Sequence, residues 1–275
     1  MNLRTLLTTV ATALTLTCSA QERDDSGLVL HSFLIGGGSA NMLDSYLSPY
    51  NYKGGEVRLM RETMRMTTLM RGKASVQTLL EGYGSFTKNR HRTAEEYTVG
   101  IRYGIHWHYH LQAARHLQLL VGTGASGFLG GSWLSRNSNN PGQARARMAA
   151  DLSAMLIYRF RVRQHHYLLR YQATAPVIGM AFSPHYGQSY YEMFELEHDD
   201  HNVRFTWPGN LPSLRHILTI NIPVRRVNLR LGYVGDFQQM KLNGLRHHSY
   251  SHCLMVGFAK YFLRTDSDKG KILSY

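Results

Sequence analysis

An acidic and histidine-rich run is the first candidate for chemistry in this sequence. Glu197, His198, Asp199, Asp200 and His201 are consecutive, and carboxylates beside imidazoles can act as a general acid and base. Consecutive residues do not fix the geometry that catalysis needs, and charged residues in a long loop are usually only solvated. We therefore expect that the protein is not an enzyme and that it holds no metal and no cofactor. The alternative is an outer-membrane hydrolase of lipids or peptides that uses His198, Asp199, Asp200 and His201.

A second group of histidines, His106, His108 and His110, alternates with apolar residues. Side chains two residues apart in a strand share one face and are separated by roughly 6.5 to 7 Å along it. This spacing matches no recognised set of metal ligands. It predicts hydrogen-bonded filling of a polar face beside Arg102, or a network that responds to pH, because imidazole titrates near 6.5.

The element that must position these histidines is an unusually long strand. From Tyr97 to Gln112, apolar and polar residues alternate without an error, and a period of two is typical of a strand. Strands of soluble proteins usually end after about 5 or 6 residues, whereas about 9 to 11 tilted residues cross a membrane in a barrel. The pattern predicts an outer-membrane β-barrel in which Tyr97 to Leu111 face lipid and the histidines face the lumen.

Other segments repeat this alternation and complete an all-β, antiparallel, up-and-down transmembrane barrel. We expect ten strands, with eight or twelve as the neighbouring counts. The regular segments are 97–112, 148–163, 167–177, 213–222, 227–238 and 250–262, and the less regular ones are 28–36, 56–68, 75–86 and 117–128.

The connections between these strands fall into two classes that alternate along the chain. Outer-membrane barrels have short periplasmic turns and longer outer loops, which predicts that both termini lie on the periplasmic side. The short connections are 69–74, 113–116, 164–165 and 225–226, and the longer ones are 37–55, 87–95, 129–147, 183–212 and 241–249.

The polar faces of the strands carry arginines as well as histidines, which predicts a charged lumen. A barrel of about ten strands is little wider than its side chains can fill, so we expect ion pairs with Glu62 and Glu81 and no wide pore. Arg163 and its neighbours have the periplasmic rim as an alternative position. The residues assigned to the lumen are Arg102, His106, His108, His110, Arg159, Arg161 and Arg230.

The N-terminus has the order of a secretory signal peptide. Arg4 precedes an apolar segment, and small residues end at Ala20, so we expect cleavage after Ala20. Residues 1–20 are then the signal and 21–275 a single barrel domain. A lipoprotein signal acylated at Cys18 is the alternative. After cleavage at Ala20 only Cys253 remains, which excludes a disulfide framework or a cysteine metal site.

The chain is basic, with 31 Lys and Arg against 18 Asp and Glu. In a cytosolic protein this balance would indicate a nucleic-acid partner, which we exclude for an exported chain. The arginines recur on polar strand faces, as lumen or loop residues or facing anionic lipid headgroups. Periodicity alone leaves open a secreted, lipocalin-like ligand-binding barrel, whose apolar faces turn inward.

Three local sequences resemble a Bacteroidota family of exported outer-membrane proteins that bear a domain of unknown function. They are Leu43-Asp44-Ser45-Tyr46-Leu47-Ser48-Pro49, Arg61-Glu62 before Met64-Arg65-Met66-Thr67, and Phe182-Ser183-Pro184-His185-Tyr186-Gly187-Gln188-Ser189-Tyr190-Tyr191-Glu192. The resemblance covers nearly the whole mature chain and implies an envelope location but no reaction, ligand or catalytic residue. Physically, these motifs read as loop and rim structures, with Asp44, Tyr46, Pro184, Tyr186, Tyr190 and Tyr191 at the rim.

These observations predict a monomeric outer-membrane barrel with a narrow polar lumen and a structural, binding or narrow-transport role in the envelope. The expected partners are outer-membrane lipids, with a small ligand or an envelope protein as further candidates and no nucleic acid. The sequence identifies no ligand.

Overall fold

The computed structural model describes residues 28–138, 140–196, 201–224 and 227–263. The predicted signal peptide of residues 1–20, with Cys18, lies outside this range, as do His198, Asp199, Asp200 and the predicted turn 225–226. The strands are β1 (Leu28–Asp44), β2 (Tyr52–Thr67), β3 (Ala74–Asn89), β4 (Glu95–Ala114), β5 (Leu117–Leu134), β6 (Gly142–Val162), β7 (His165–Phe182), β8 (Val203–Thr206), β9 (Ser213–Val224), β10 (Val227–Leu242) and β11 (Leu245–Leu263).

Ten of these strands form a closed antiparallel barrel, and the short strand β8 is an addition at one edge. Consecutive strands pair around the ring, and β1 pairs with β11 from Leu28 opposite Leu263 to Asp44 opposite His247. This last pairing closes the ring of ten strands. The predicted fold class and strand number are confirmed.

Two short helices interrupt the connections, α1 (Leu69–Gly72) after β2 and α2 (Tyr190–Phe194) between β7 and β8. Ser189 caps α2, because its hydroxyl accepts a hydrogen bond from the Glu192 backbone N–H at 3.2 Å. Among the described residues, neither helix has the length and apolar character needed to cross a membrane.

The apolar face of each strand points out of the barrel. On β4, Tyr97, Val99 and Ile101 are exposed, whereas Thr98 and Arg102 are buried in the interior. A lipocalin-like barrel would have the opposite arrangement, with apolar side chains inside. The structure therefore contradicts the lipocalin alternative and leaves an apolar outer surface around a polar interior.

The strands are longer, and the loops shorter, than the sequence pattern predicts. Strand β1 continues through the glycine run 36–38, although a loop was predicted to begin at residue 37. A Cβ at Gly36 or Gly38 would collide with the backbone carbonyl of Leu254 or His252 on β11. These glycines therefore allow close pairing of β1 with β11 rather than a break in the strand.

The last outer connection was predicted to be long, at residues 241–249, and this prediction is wrong. The chain turns at Asn243 and Gly244, with φ angles of 49° and 76°. An Asn-Gly pair with both residues in the left-handed region is typical of a two-residue hairpin turn. We use the label outer end, after the predicted orientation, for the end with the described connections 45–51, 90–94, 135–141, 183–212 and 243–244. The short-turn end is the end with 68–73, 115–116 and 163–164.

The wall is irregular where β7 meets β9. Strand β9 pairs with β7 only between Leu168 and Thr174, and β8 takes over from Gly179 to Phe182. Between these two stretches lies Pro176, which has no backbone N–H to donate, next to a register shift against β6. The connection 183–212 begins at the end of β7 and contains β8, so it belongs to the outer end of the barrel.

Candidate functional site

The interior of the barrel is the part of the fold where charged side chains converge. Glu62 of β2 is fully buried and accepts hydrogen bonds from Arg170 of β7 at 2.6 and 2.7 Å. It also accepts one from Arg230 of β10 at 2.7 Å. We call Glu62, Arg170 and Arg230 the lower charge cluster. Its geometry satisfies both carboxylate oxygens, as a buried charge requires.

The lower charge cluster connects opposite walls of the barrel. Between β2 and β7 lie β3, β4, β5 and β6 on one side of the ring, and β1, β11, β10 and β9 on the other. The hydrogen bonds between Glu62 and Arg170 therefore cross the full width of the lumen. A side-chain contact across the diameter divides the lumen at this level.

A pair of glutamines crosses the lumen beside this cluster. The side-chain amides of Gln77 on β3 and Gln172 on β7 each donate to the other's carbonyl oxygen, at 2.9 and 2.7 Å. Gln77 also donates to Glu62 at 2.6 Å, and Gln172 to Ser153 at 3.1 Å. Both amide groups are thus held by hydrogen bonds, which makes this crossing rigid.

A second set of charges lies nearer the outer end. Arg58 donates to Glu56 at 2.6 Å, to Glu81 at 3.2 Å and to Asp236 at 3.4 Å. Arg102 donates to Asp236 at 2.9 Å. Arg215 forms a further ion pair with Glu81. We call these six residues, which come from β2, β3, β4, β9 and β10, the middle charge cluster: Glu56, Arg58, Glu81, Arg102, Arg215 and Asp236.

Apolar layers separate and flank the two charge clusters. Along β2, Met60 lies between Arg58 and Glu62 on the inward face, and it is 1% exposed. One layer contains Leu34, Met60, Leu79, Ile217, Val234, Cys253 and Met255. A second layer towards the short-turn end is built on Leu120, Met155 and Ile157, with Met64 and Leu168 against it. A continuous file of water would have to pass these apolar layers, and apolar constrictions favour dewetting.

The three histidines of β4 face the interior and contact neighbouring strands. His106 contacts Asp151 at 3.2 Å, His108 contacts Ser153 at 3.0 Å, and His110 contacts Ser75 at 2.8 Å. In the part of the chain that the structure describes, no group of three or more His, Cys, Asp or Glu residues could hold a metal ion. Hydrogen bonding within the barrel wall is therefore what these side chains do in this structure.

Two arginines assigned to the lumen from the sequence lie elsewhere. Arg159 and Arg161 have the inward parity of β6, but both are exposed at its short-turn end. Glu62 and Glu81 instead pair with arginines nearer the middle of the strands. The odd or even position of a residue in a strand gives the face that it occupies but not its depth along the strand. For this reason the ion-pair partners of Glu62 and Glu81 could not be derived from the sequence. The partners that the sequence analysis did not assign are Arg58, Arg170, Arg215 and Asp236.

The predicted rim residues lie at the outer end, where three connections meet. The Tyr46 hydroxyl donates to the Gln188 carbonyl at 2.8 Å, and the Tyr190 hydroxyl accepts from the Ala144 backbone N–H at 2.6 Å. The two tyrosine rings meet edge to face at 6.1 Å. Burial, followed by the proximity of Tyr190, Asp44 and Glu192, raises the pKa of Tyr46 to about 12. Tyr46 therefore stays a neutral donor.

The other rim residues have different environments. Asp44 is buried and its carboxylate accepts from the Tyr46 backbone N–H at 3.1 Å, which caps the first outer turn. Pro184 is buried, whereas Tyr186 and Tyr191 are among the exposed aromatic residues. The contacts of Tyr46 and Tyr190 tie residues 188–190 to the first outer turn and to the start of β6.

Only His201 of the acidic and histidine-rich run is among the described residues. His201 is exposed, with a φ of 61°, and its carbonyl accepts from the Asn243 side chain at 3.1 Å. His198, Asp199 and Asp200 lie outside the described residues. The hydrolase alternative therefore stays a prediction.

Comparison with known proteins gives a family and distant structural likenesses. A family model described as "Protein of unknown function (DUF3316)" matches residues 3–269. No curated protein matches the sequence.

Several solved structures are similar over most of the chain. The outer-membrane protease OmpT from Escherichia coli is 8% identical, with 88% of this chain and 99% of that chain covered and a TM-score of 0.47. The translocator domain of the autotransporter NalP from Neisseria meningitidis is 11% identical, with 94% and 96% covered and a TM-score of 0.43. The transport unit of the autotransporter AIDA-I from Escherichia coli is 10% identical, with 93% and 97% covered and a TM-score of 0.46.

Proposed function

We propose that this chain, which belongs to the DUF3316 family of proteins of unknown function, is an outer-membrane β-barrel that is closed to solutes and has a structural or binding role in the envelope. The observation that carries the proposal is the crossing of the lumen by Glu62 and Arg170, which joins opposite walls.

The outer surface supports the membrane location. Apolar side chains such as Phe33, Leu152, Leu254 and Phe258 are exposed on the outside of the barrel, with exposed fractions between 52% and 73%. Contiguous exposed apolar surface of this kind is rare on monomeric soluble proteins. A closed barrel is also one of the two structures that satisfy every backbone hydrogen bond inside a bilayer.

The interior supports a closed barrel rather than a pore. The lower charge cluster, the middle charge cluster and the two apolar layers succeed one another along the lumen. An aqueous channel needs a continuous polar path, as in barrels of 16 or more strands. A role in holding the envelope together, or in binding a ligand or partner at the rim, fits this filling better than diffusion through the lumen does.

Planar bilayer recording of the folded, full-length mature protein tests the proposal. We expect insertion into the bilayer without a steady open conductance. Electrophoretic mobility that changes on heating would show, in the same preparation, that the barrel is folded. A stable conductance of the wild-type protein would overturn the closed-lumen proposal. Recovery of the folded protein in the soluble periplasm would overturn the membrane location.

A further inference from the structure

The hairpin that joins β6 and β7 extends beyond its neighbours at the short-turn end. On one side, the last backbone contact with the β4–β5 hairpin is the bond from the Arg159 N–H to the His116 carbonyl, at 2.9 Å. On the other side, β9 pairs with β7 only from Leu168 onward. Among the described strands, residues 160–167 therefore pair only with one another.

The outward face of this end of the hairpin is aromatic. The rings of Tyr158 and Phe160 are stacked with centroids 5.7 Å apart, and those of Phe160 and Tyr167 are stacked at 5.4 Å. These residues continue the outward apolar rows of β6 and β7, which include Leu156 and Leu169. Aromatic side chains at the end of a lipid-facing row are typical of the headgroup level of a bilayer.

The end of this hairpin and the adjacent turn carry exposed arginines. Arg159, Arg161 and Arg163 are exposed, and Arg115 in the adjacent turn is exposed as well. We call these four residues the basic tip. Their side-chain hydrogen bonds go to neutral groups, from Arg159 to Gln118 at 3.3 Å and from Arg161 to the Arg163 carbonyl at 2.9 Å.

The basic tip has no carboxylate partner in the part of the chain that the structure describes. The described carboxylates lie in the interior, as Glu62 and Asp236 do, or near the outer end, as Glu95 and Glu192 do. None of the ion pairs between described residues includes a residue of the basic tip. Among the described residues, no carboxylate competes with an external anion for these guanidinium donors, and guanidinium groups suit phosphate oxygens.

We propose that the basic tip binds the phosphate headgroups of anionic phospholipids in the leaflet at the short-turn end of the barrel. The aromatic face places the tip at headgroup level, and the arginines supply the charge that an anionic headgroup requires. A zwitterionic headgroup offers the same phosphate without net charge, so the tip selects by charge. The inference rests on the proposed membrane location.

Native mass spectrometry of the mature protein extracted from mixed phosphatidylcholine and phosphatidylglycerol vesicles tests this inference. The wild type should retain phosphatidylglycerol preferentially. The variant Arg159→Gln/Arg161→Gln/Arg163→Gln should lose this preference. A surface arginine contributes about a fivefold gain in affinity for an anionic surface, so three substitutions predict a loss of roughly a hundredfold.

A matched control removes three exposed arginines from the outer connections. Arg90→Gln/Arg92→Gln/Arg136→Gln makes the same change in net charge and should leave the phosphatidylglycerol preference unchanged. Replacing the three tip arginines by lysine should keep most of the preference, because the charge remains. Equal loss in both glutamine variants, or no loss in the tip variant, would overturn the inference.

Two further outcomes distinguish lipid binding by the basic tip from the proposed membrane location and from binding of an acidic protein partner. Insertion of the wild type into vesicles without a headgroup preference would contradict the basic tip alone, whereas failure to insert into any vesicle would contradict the membrane location. If a labelled oligoglutamate peptide binds the wild type but not the tip variant, and the lipid preference is the same in both, the surface belongs to an acidic protein partner instead.

Discussion

Glu62 is the residue on which the closed interior most depends. Its two oxygens accept from Arg170 and Arg230, and Gln77 and Ser32 donate to the same carboxylate. Removing one member of a buried charge group leaves the others buried without compensation, which costs more than the group contributes when it is intact. The lower charge cluster should therefore respond strongly to a loss of charge at this one position.

The substitution Glu62→Gln tests this expectation. It keeps the size of the side chain but leaves Arg170 and Arg230 without a counter-charge, and we expect a loss of about 3–5 kcal/mol in the free energy of unfolding. Urea unfolding of the protein in lipid vesicles, followed by tryptophan fluorescence, measures this quantity.

The control for this change is Glu95→Gln. Glu95 pairs with Lys88 at 2.6 Å, but both side chains are well exposed. Solvent screens the charges of such an exposed pair, so the loss should be much smaller than that of Glu62→Gln. Equal losses at the two positions would mean that the lumen is wet enough to screen the lower charge cluster.

At the scale of elements, the hairpin turns decide how the strands are paired. The β10–β11 hairpin has the turn Asn243–Gly244 and pairs from Leu242 opposite Leu245 down to Asn228 opposite Ala259. Loop length and turn type set the register of a hairpin. This two-residue turn therefore fixes which side chains of β10 and β11 face the interior, Asp236 among them.

Gly244→Ala should weaken this hairpin. Gly244 has a φ of 76°, and an L-residue in the left-handed region costs roughly 1–2 kcal/mol. Unfolding in vesicles should show a loss of that size. Gly127→Ala on β5 is the comparison, because a Cβ there meets nothing within 4 Å and the backbone φ is not positive. A Gly244→Ala protein as stable as Gly127→Ala would show that the turn adapts without strain.

At the scale of the whole molecule, the closed ring places the longest connections at one end. The connections 68–73, 115–116 and 163–164 lie at one end of the described barrel, and the other end has the three longest, 45–51, 135–141 and 183–212, together with 90–94 and 243–244. In an outer-membrane barrel the shorter turns face the periplasm. Under the proposed location, the connection 183–212 therefore faces the outside of the cell.

Cysteine labelling of intact cells tests this orientation. In a Cys253→Ser background, Arg136→Cys in an outer connection should react with a membrane-impermeant maleimide, and Gln164→Cys in a short turn should react only after lysis. Serine keeps a donor for the Glu56 oxygen that Cys253 contacts at 3.3 Å. The reverse pattern of labelling would invert the proposed orientation, and labelling at both sites would indicate a leaky envelope.

The alternation of residue types was sufficient to predict the barrel, its strand number and the two faces of strands such as β4. Strand pairing imposes a period of two on any sequence that has lipid on one side and a polar lumen on the other, so the pattern is visible without a structure. The family was likewise recognisable from the motifs around Asp44, Glu62 and Tyr190. The strand ends were less well predicted, because glycine at Gly36 and Gly38 serves close pairing rather than a loop.

The pairing of charges was decided by the tertiary structure alone. Glu62 and Glu81 could be placed in the interior from the sequence, but their partners come from β7, β9 and β10 as well as from nearby strands. Ring closure sets which positions face one another across the lumen, and the depth of each arginine depends on the register of every hairpin before it. Arg159 and Arg161 share the parity of the buried residues of β6 but lie beyond the closed region. For this reason the sequence determined which face of a strand each side chain occupies, and the tertiary structure decided which side chains meet.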